Sequence, residues 1–313
     1  MSVQKNKLTL SAKVHKYKNL IPFVIPAVLF ALIFSYLPMT GILIAFKDNP
    51  NFGRYDVFEA FSRSEWTMEN FEKLFSDPEI LRYISNTLII SVMKIVILFP
   101  LPVVLAVMIT ELRSKKFSKL VQGVVFLPHF FSWVVIVGIF NSIFGMYGPV
   151  NNLSVALGGD PIYFMGEPAW FRWLVVILSG WKEIGYSSIA YIAAIMSIDP
   201  ALYEAAKIDG ASKLRQIWSI TIPSIMPTII VMLIIRIGYL MDAGFEQVYA
   251  MINSLTRETG EIIGTYVYRL GLGTGSRDYG LSTAVGLFNG IISLLLILGA
   301  NYFSKKKTGN GVW

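Results

Sequence analysis

The chain has 313 residues, of which 54% are hydrophobic and only 15% charged, with a net charge of +7 and no cysteine. A mean hydropathy of +0.58 is far from that of a water-soluble domain and points to an integral membrane protein. The missing cysteine excludes a disulfide framework and thiolate metal sites, and His15 and His129 stand too far apart to form a metal-ligand pattern.

The chain opens with a basic tail, residues 1–19, that carries Lys5, Lys7, Lys13, Lys16 and Lys18. The apolar run behind it is too long for a signal peptide and ends in "TGILIAFKD" rather than a small-residue cleavage site, so it reads as a retained first span. A helix needs about 20 apolar residues to cross the hydrocarbon core. The pattern predicts six such spans, at about 20–46, 83–110, 121–144, 171–197, 221–250 and 281–303. Backbone polar groups in lipid must be satisfied internally, and these runs are too long and continuous for barrel strands. The expected fold is an all-α, polytopic bundle forming one transmembrane domain over residues 1–313, kinked by prolines such as Pro22, Pro26, Pro38, Pro100 and Pro102.

Charge sets the orientation. Six spans put both termini on one side, together with Arg113, Lys115, Lys116 and Lys119 in a short loop and Lys305, Lys306 and Lys307 after the last span. Positive charge of this kind marks the cytoplasm, and the aromatic–basic interleaving of a nucleic-acid binder is absent. The loop 47–81 then faces outward. It is acidic, with Asp48, Asp56, Glu59, Glu65, Glu69, Glu72, Asp77 and Glu79. Trp66 and Phe71 among those charges suit either a docking partner or the outer leaflet. The "GLGTGSRDYG" stretch, also outside, lacks the lysine of a phosphate-binding loop, and no such loop occurs elsewhere in the chain.

Residues 199–220 interrupt the greasy pattern on the cytoplasmic side. Asp199-Pro200 reads as an N-cap followed by proline at the first helical position. Helix then runs through "ALYEAAKID" until Gly210 stops it in the left-handed conformation. Ser212 is placed to cap a second short helix bearing Leu214, Ile217 and Trp218. An interfacial helix resting on headgroups would favour a lysine- and arginine-rich polar face. This segment instead mixes Glu204 and Asp209 with Lys207, Lys213 and Arg215, around a small Ala205-Ala206 surface suited to a protein groove.

The stretch "EAAKIDGASKLRQIWSITIPSIMP" resembles the EAA loop of permease subunits of ATP-binding-cassette importers. Glu204, Ala205, Ala206, Gly210, Ile220 and Pro223 stand at the matching positions, with Ile222 where leucine is common. "FLPHFFSWVV", "GWKEIGYSSIAYIAAI", "DAGFEQVY" and "TYVYRLGL" extend the likeness to the carbohydrate branch, the LplB-type, binding-protein-dependent type I permeases for complex oligosaccharides. The resemblance implies the MetI-like fold of type I importers, with a coupling helix seated on a separate ATPase through Glu204, Ala205, Ala206, Asp209, Gly210 and Pro223. It implies a second, homologous permease in a heterodimer, two ATPase subunits that bind ATP and Mg, an extracytoplasmic sugar-binding protein, and no cofactor or catalytic residue in this chain. The rival readings are a permease of the same architecture for a non-sugar solute, and a secondary transporter or channel that needs no ATPase.

Polar residues within spans are costly and face a cavity or another helix. Trp181, Lys182, Glu183 and Tyr186 interrupt the fourth span, Arg236, Tyr239, Asp242, Glu246 and Gln247 lie in the fifth, and Asn289 in the sixth. Aromatic faces with amides and carboxylates suit sugars, so Trp181, Glu183, Tyr186, Tyr239, Asp242, Glu246 and Gln247 are the candidate substrate pathway. Each has an alternative: Lys182–Glu183 as an ion pair, Arg236 as a helix lock, and Asp242 and Glu246 as a helix end. The carboxylates lack the accessible cleft of a glycosidase.

Overall fold

The computed structural model describes residues 21–273, 277–309 and 311. The basic tail with His15, and part of the glycine-rich stretch 271–280, lie outside them. Among the described residues the fold is all-α, and the one strand-like contact is a bridge between Lys47 and Trp66. Five helical runs are long and apolar enough to cross a bilayer: Pro22–Phe46, Pro78–Thr110, Trp133–Ala156, Lys213–Gly238 and Tyr279–Lys306. Pro168–Met196 meets the same test jointly with Pro200–Ile208, across a 69° bend. This is a multi-pass membrane protein.

Two predicted spans are not continuous helices. In the expected 121–144 span, helix Lys115–Phe126 tightens into a 3-10 turn at Leu127–Phe130, and a new helix begins at Trp133. Pro128 has no N–H to donate, and the Ser132 hydroxyl accepts the Val135 N–H at 3.3 Å to start the next helix. The carbonyls freed at the break, those of His129 and Phe131, both accept from the Lys182 ammonium. Lys182 therefore seals a broken span instead of pairing with Glu183.

In the expected 221–250 span, helix Ile222–Gly238 stops at Tyr239, and Phe245–Met251 is a separate short helix. Between them Ala243 and Gly244 both take positive φ, 52° and 89°, a left-handed pair that helix cannot pass through. The same span starts earlier than expected. The four-residue helix Lys213–Gln216, capped by Ser212, runs through a π-helical turn at Ile217–Thr221 straight into Ile222–Gly238, so Pro223 lies inside a helical run.

Pro168–Met196 is the central post. It packs against Pro100–Thr110, Lys115–Phe126 and Ile222–Gly238, burying Leu174, Val175, Leu178, Ser179 and Ser188 along its length. At Gly185 the approach is closest, because a Cβ there would overlap the Val125 carbonyl. The last helix, Tyr279–Thr308, packs on Leu37–Phe46, Glu69–Ser76, Ile222–Gly238 and Ile263–Leu272. The N-terminal helix leaves nearly all its apolar surface exposed and buries Ala45 at its far end.

One end of the bundle is rich in loops and short helices, and the two buried cores sit toward it. One core gathers Ile90, Ile136, Phe171, Leu174, Leu178 and Val248; the other gathers Leu74, Tyr83, Met241, Tyr266, Leu281 and Val285. Phe71 packs against the second core and against Phe46, with ring centroids 5.1 Å apart. Trp66 stays 63% exposed, and its ring lies 4.2 Å from the buried Lys47 ammonium. Polar links fasten this end. Arg172 donates to Asn86 Oδ1 at 2.8 Å, and Asn86 Nδ2 donates to the Glu258 and Glu261 carbonyls, each at 3.0 Å. The buried Glu261 carboxylate accepts from Arg269 Nε and Nη2 at 2.8 and 3.0 Å, and that hydrogen bonding pushes the Arg269 pKa up. At the opposite end, Lys213 pairs with Glu111 at 2.6 Å.

Candidate functional site: an exposed helix and a forked membrane cavity

Helix Pro200–Ile208 forms at the end opposite the loops. The Asp199 carboxylate caps it by accepting the Ala201 N–H at 2.9 Å, and Pro200 fills the first position. Its other end closes as a Schellman motif. Gly210, at φ +74°, lets its own N–H reach the Lys207 carbonyl at 3.1 Å and the Ala211 N–H reach the Ala206 carbonyl at 2.8 Å. Tyr203 meets Thr221 through a 2.9 Å hydroxyl–hydroxyl bond, and Gln216 donates to the Ala211 carbonyl at 2.9 Å. The helix is thus fixed at both ends and along one side, yet none of its residues is buried. Glu204 and Ala205 are exposed, and Ile208 is 87% exposed. Glu204 makes no ion pair among the described residues. Asp209 is the C-cap, and Pro223 lies inside the following run, Lys213–Gly238.

Within the bundle, two adjoining cavities share one wall. The larger, about 510 Å³, lies among the second, fourth and fifth spans and is lined mostly by apolar residues, with Tyr186, Tyr191, Ser179 and Ser187. The smaller, about 210 Å³, is polar and reaches Ser91, Lys94, Trp133, Asp242 and the Ala243-Gly244 turn. Glu183, Arg236 and Tyr239 belong to both. Arg236 lies 3.9 Å from Glu183, and both side chains are more than one-third exposed, so the contact is a loose ion pair and not a hydrogen bond.

Lys94 sets the geometry of the smaller cavity. It is 6% exposed, and its ammonium donates to the Ala243 carbonyl and to Gln247 Oε1, each at 2.8 Å. Gln247 Oε1 also accepts from Ser179 at 2.6 Å, and its Nε2 donates to the Val175 carbonyl at 2.7 Å. The lysine thereby satisfies a carbonyl freed where the fifth span breaks, and holds the turn that carries Asp242.

The candidate pathway residues divide accordingly. Glu183 and Tyr239 line both cavities, Tyr186 the larger and Asp242 the smaller. Tyr186 also stacks on His129, with centroids 3.8 Å apart and planes 2° from parallel, which gives that histidine a packing role. Trp181 lies outside both cavities and packs against Phe140. Gln247 is fully buried in the Lys94 network, and Glu246 is an exposed residue in the first turn of Phe245–Met251. Lys94 and Ser91 are among the cavity residues that sequence reasoning passed over, with Trp133, Ser179, Ser187 and Tyr191. A lone lysine inside "SVMKIVILFP" was the available signal. Among the described residues no group of three histidine, aspartate or glutamate side chains stands ready for a metal.

Comparison with known proteins gives the family of the chain. Residues 99–308 match the family described as "Binding-protein-dependent transport system inner membrane component". The chain is 41% identical to protein LplB of Bacillus subtilis (strain 168), over 96% of this chain and 93% of that one. It is also 41% identical to the polygalacturonan/rhamnogalacturonan transport system permease protein YteP of the same organism, over 96% and 92%. Among solved structures it resembles a chain of a bacterial ABC transporter involved in the import of the acidic polysaccharide alginate. That match has 38% identity and a TM-score of 0.86, covering 96% of this chain and 99% of that one. A second structure, of an alginate ABC transporter in complex with an alginate pentasaccharide-bound periplasmic protein, gives a TM-score of 0.87.

Proposed function

This chain belongs to the binding-protein-dependent transport system inner membrane components, transport subunits and not enzymes, and on that premise we propose that it forms half of the membrane pathway of an ATP-driven oligosaccharide importer. The relatives named for polygalacturonan and alginate support the carbohydrate cargo. The forked cavity, with aromatic rings and charged groups together, suits hydroxylated rings. Glu183, Tyr186, Tyr239 and Asp242 line the pathway, and a second, homologous permease supplies its other half.

Helix Pro200–Ile208 couples the bundle to one of two ATPase subunits, which bind the ATP and Mg. The observation that carries this role is a helix held rigidly by Asp199, Gly210 and Tyr203 with no buried residue of its own. Such an element transmits force only when a partner covers it. Ala205 and Ala206 let the partner approach, and Glu204 meets a basic group there. Asp209 and Gly210 shape the helix end, while Pro223 lies within the span that the motion reaches. ATP-driven closure of the partners then shifts the bundle between two packings.

The helix faces the cytoplasm, as do both termini, in keeping with the positive charges at 113–119 and 305–307. The loop-rich end receives a sugar-loaded binding protein. The test is ATP hydrolysis by the reconstituted importer. Glu204→Arg and Gly210→Pro are expected to insert normally and to abolish stimulation by the loaded binding protein. Full stimulation in a well-expressed Gly210→Pro variant would remove the coupling assignment, and uptake without any ATPase would favour a secondary transporter.

A further inference from the structure

Resting on the carbohydrate reading, we propose that the smaller cavity is a subsite for one acidic sugar unit, whose carboxylate is held by Lys94 and Ser91 with Arg236 at the entrance. At about 210 Å³ the cavity lies below the size that drug-like ligands require and suits a single ring of a longer chain. The adjoining larger cavity has room for the neighbouring units.

Lys94 and Ser91 make the anion-binding end. They stand three residues apart on one face of the second span, 6% and 4% exposed, and both line the cavity. The Lys94 ammonium directs two of its three N–H groups to neutral acceptors, the Ala243 carbonyl and Gln247. No carboxylate lies within ion-pair distance of it among the described residues. Its hydrogen bonds go only to neutral acceptors, and the carboxylates of Glu183 and Asp242 act on it across the cavity from beyond ion-pair distance. A buried ammonium so placed gains from a negative charge at bonding distance. Ser91 Oγ is fully buried and meets no hydrogen-bond partner. An unpartnered hydroxyl beside an ammonium with an unused donor is a pair suited to a carboxylate.

Arg236 stands where the two cavities join. Its one ionic neighbour among the described residues is Glu183, at 3.9 Å, which leaves its planar donor edge open to a passing carboxylate. The carboxylates that line the same cavity orient the ring. Glu183 and Asp242 repel the sugar's charged group toward Lys94 and accept hydrogen bonds from its hydroxyls. Trp133 and Tyr239 line the same cavity, aromatic surface of the kind that C–H faces of a sugar pack against.

The test uses the assembled importer in nanodiscs, with binding read by calorimetry. The probes are trimers of galacturonate, glucuronate and mannuronate, each as free acid and as methyl ester, together with maltotriose and cellotriose as neutral sugars. At least one free acid is expected to bind about tenfold more tightly than its ester, the equivalent of one charge-assisted hydrogen bond. Ser91→Ala and Arg236→Gln are each expected to weaken that acid by about fivefold or more and to leave the ester within about twofold. Ser91→Ala removes one oxygen that has no partner to lose, whereas Lys94→Met would strip a donor from both the Ala243 carbonyl and Gln247.

Equal binding of acid and ester would overturn the acidic subsite and leave the carbohydrate reading standing. An acid preference that survives in both variants would overturn its placement at these residues. Failure of every sugar, acidic or neutral, to bind would remove the carbohydrate reading and the subsite with it.

Discussion

Lys94 and Gln247, 153 residues apart in the chain, share a 2.8 Å hydrogen bond at the point where three spans meet. Lys94 comes from the second span and Gln247 from the short helix after the fifth. Gln247 passes the contact to the fourth span through Ser179 and the Val175 carbonyl. One amide therefore ties together the elements that wall the smaller cavity. Sliding any of them breaks several buried bonds at once, which favours discrete arrangements over gradual deformation.

Gln247→Leu keeps the side-chain size but removes the acceptor shared by Lys94 and Ser179. The buried ammonium is left with a single partner, and the expected loss is about 1.5–3 kcal/mol, as for hydrogen bonds to charged groups. Thermal unfolding of the detergent-solubilised chain reads this as a lower midpoint. Glu246→Gln, one residue earlier but exposed, is expected to leave the midpoint in place. A Gln247→Leu midpoint equal to wild type would mean that the joint contributes nothing.

Gly185→Ala tests the closest helix contact. The added methyl would meet the Val125 carbonyl, part of the backbone, so no side chain can turn aside and the helices must separate. Overpacking of this kind costs about 1–3 kcal/mol or more. Gly290→Ala, in the last span with nothing within 4 Å of the new Cβ, is expected to be neutral or stabilising by up to about 1 kcal/mol from helix propensity. Folded yield on size-exclusion chromatography separates the two, and equal yields would show that the Gly185 contact opens at no cost.

The order of these elements explains which parts were legible in the sequence. Apolar runs revealed the all-α membrane fold, because lipid imposes helix on any long apolar run. The caps Asp199, Gly210 and Ser212 were equally visible, since each acts on backbone two or three residues away. The breaks at Phe131–Ser132 and Ala243–Gly244 were hidden, because what closes them is remote. Lys182 seals the first from 51 residues away, and Lys94 the second from 149. The same reason separated Glu183, Tyr239 and Asp242, which face the cavities, from Trp181 and Gln247, which do not. Composition marked all five as polar or aromatic, and only packing decides which way each points.

Glu261 and Arg269 form a half-buried ion pair at the loop-rich end, with side-chain exposures of 2% and 41%. Removing the arginine alone, as Arg269→Ala, leaves a buried carboxylate with Arg257 at 3.9 Å as its remaining cation. The expected loss is up to about 3 kcal/mol, below the full range for buried pairs because the arginine is partly exposed. Glu261→Leu combined with Arg269→Met is expected to recover most of that loss by replacing charge with apolar contact. A double-mutant cycle on the thermal midpoint measures the difference. Strict additivity of the two single changes would show that the carboxylate and guanidinium do not act as a pair.

Gly210 isolates backbone conformation from packing, because a Cβ there meets nothing within 4 Å although φ is +74°. Any effect of substitution must come from the left-handed conformation, which costs non-glycine residues roughly 1–2 kcal/mol, less for asparagine. Binding-protein-stimulated ATP hydrolysis is therefore expected to fall in the order glycine, asparagine, alanine, valine at constant membrane insertion. Valine is last because its branched Cβ resists positive φ most strongly. The ordering matters more than the loss itself: a generally destabilised bundle would lose insertion along with activity, whereas a weakened Schellman cap loosens only the end of Pro200–Ile208. Equal activity of Gly210→Asn and Gly210→Val would show that the helix end need not be held rigid for the ATPase to move the spans.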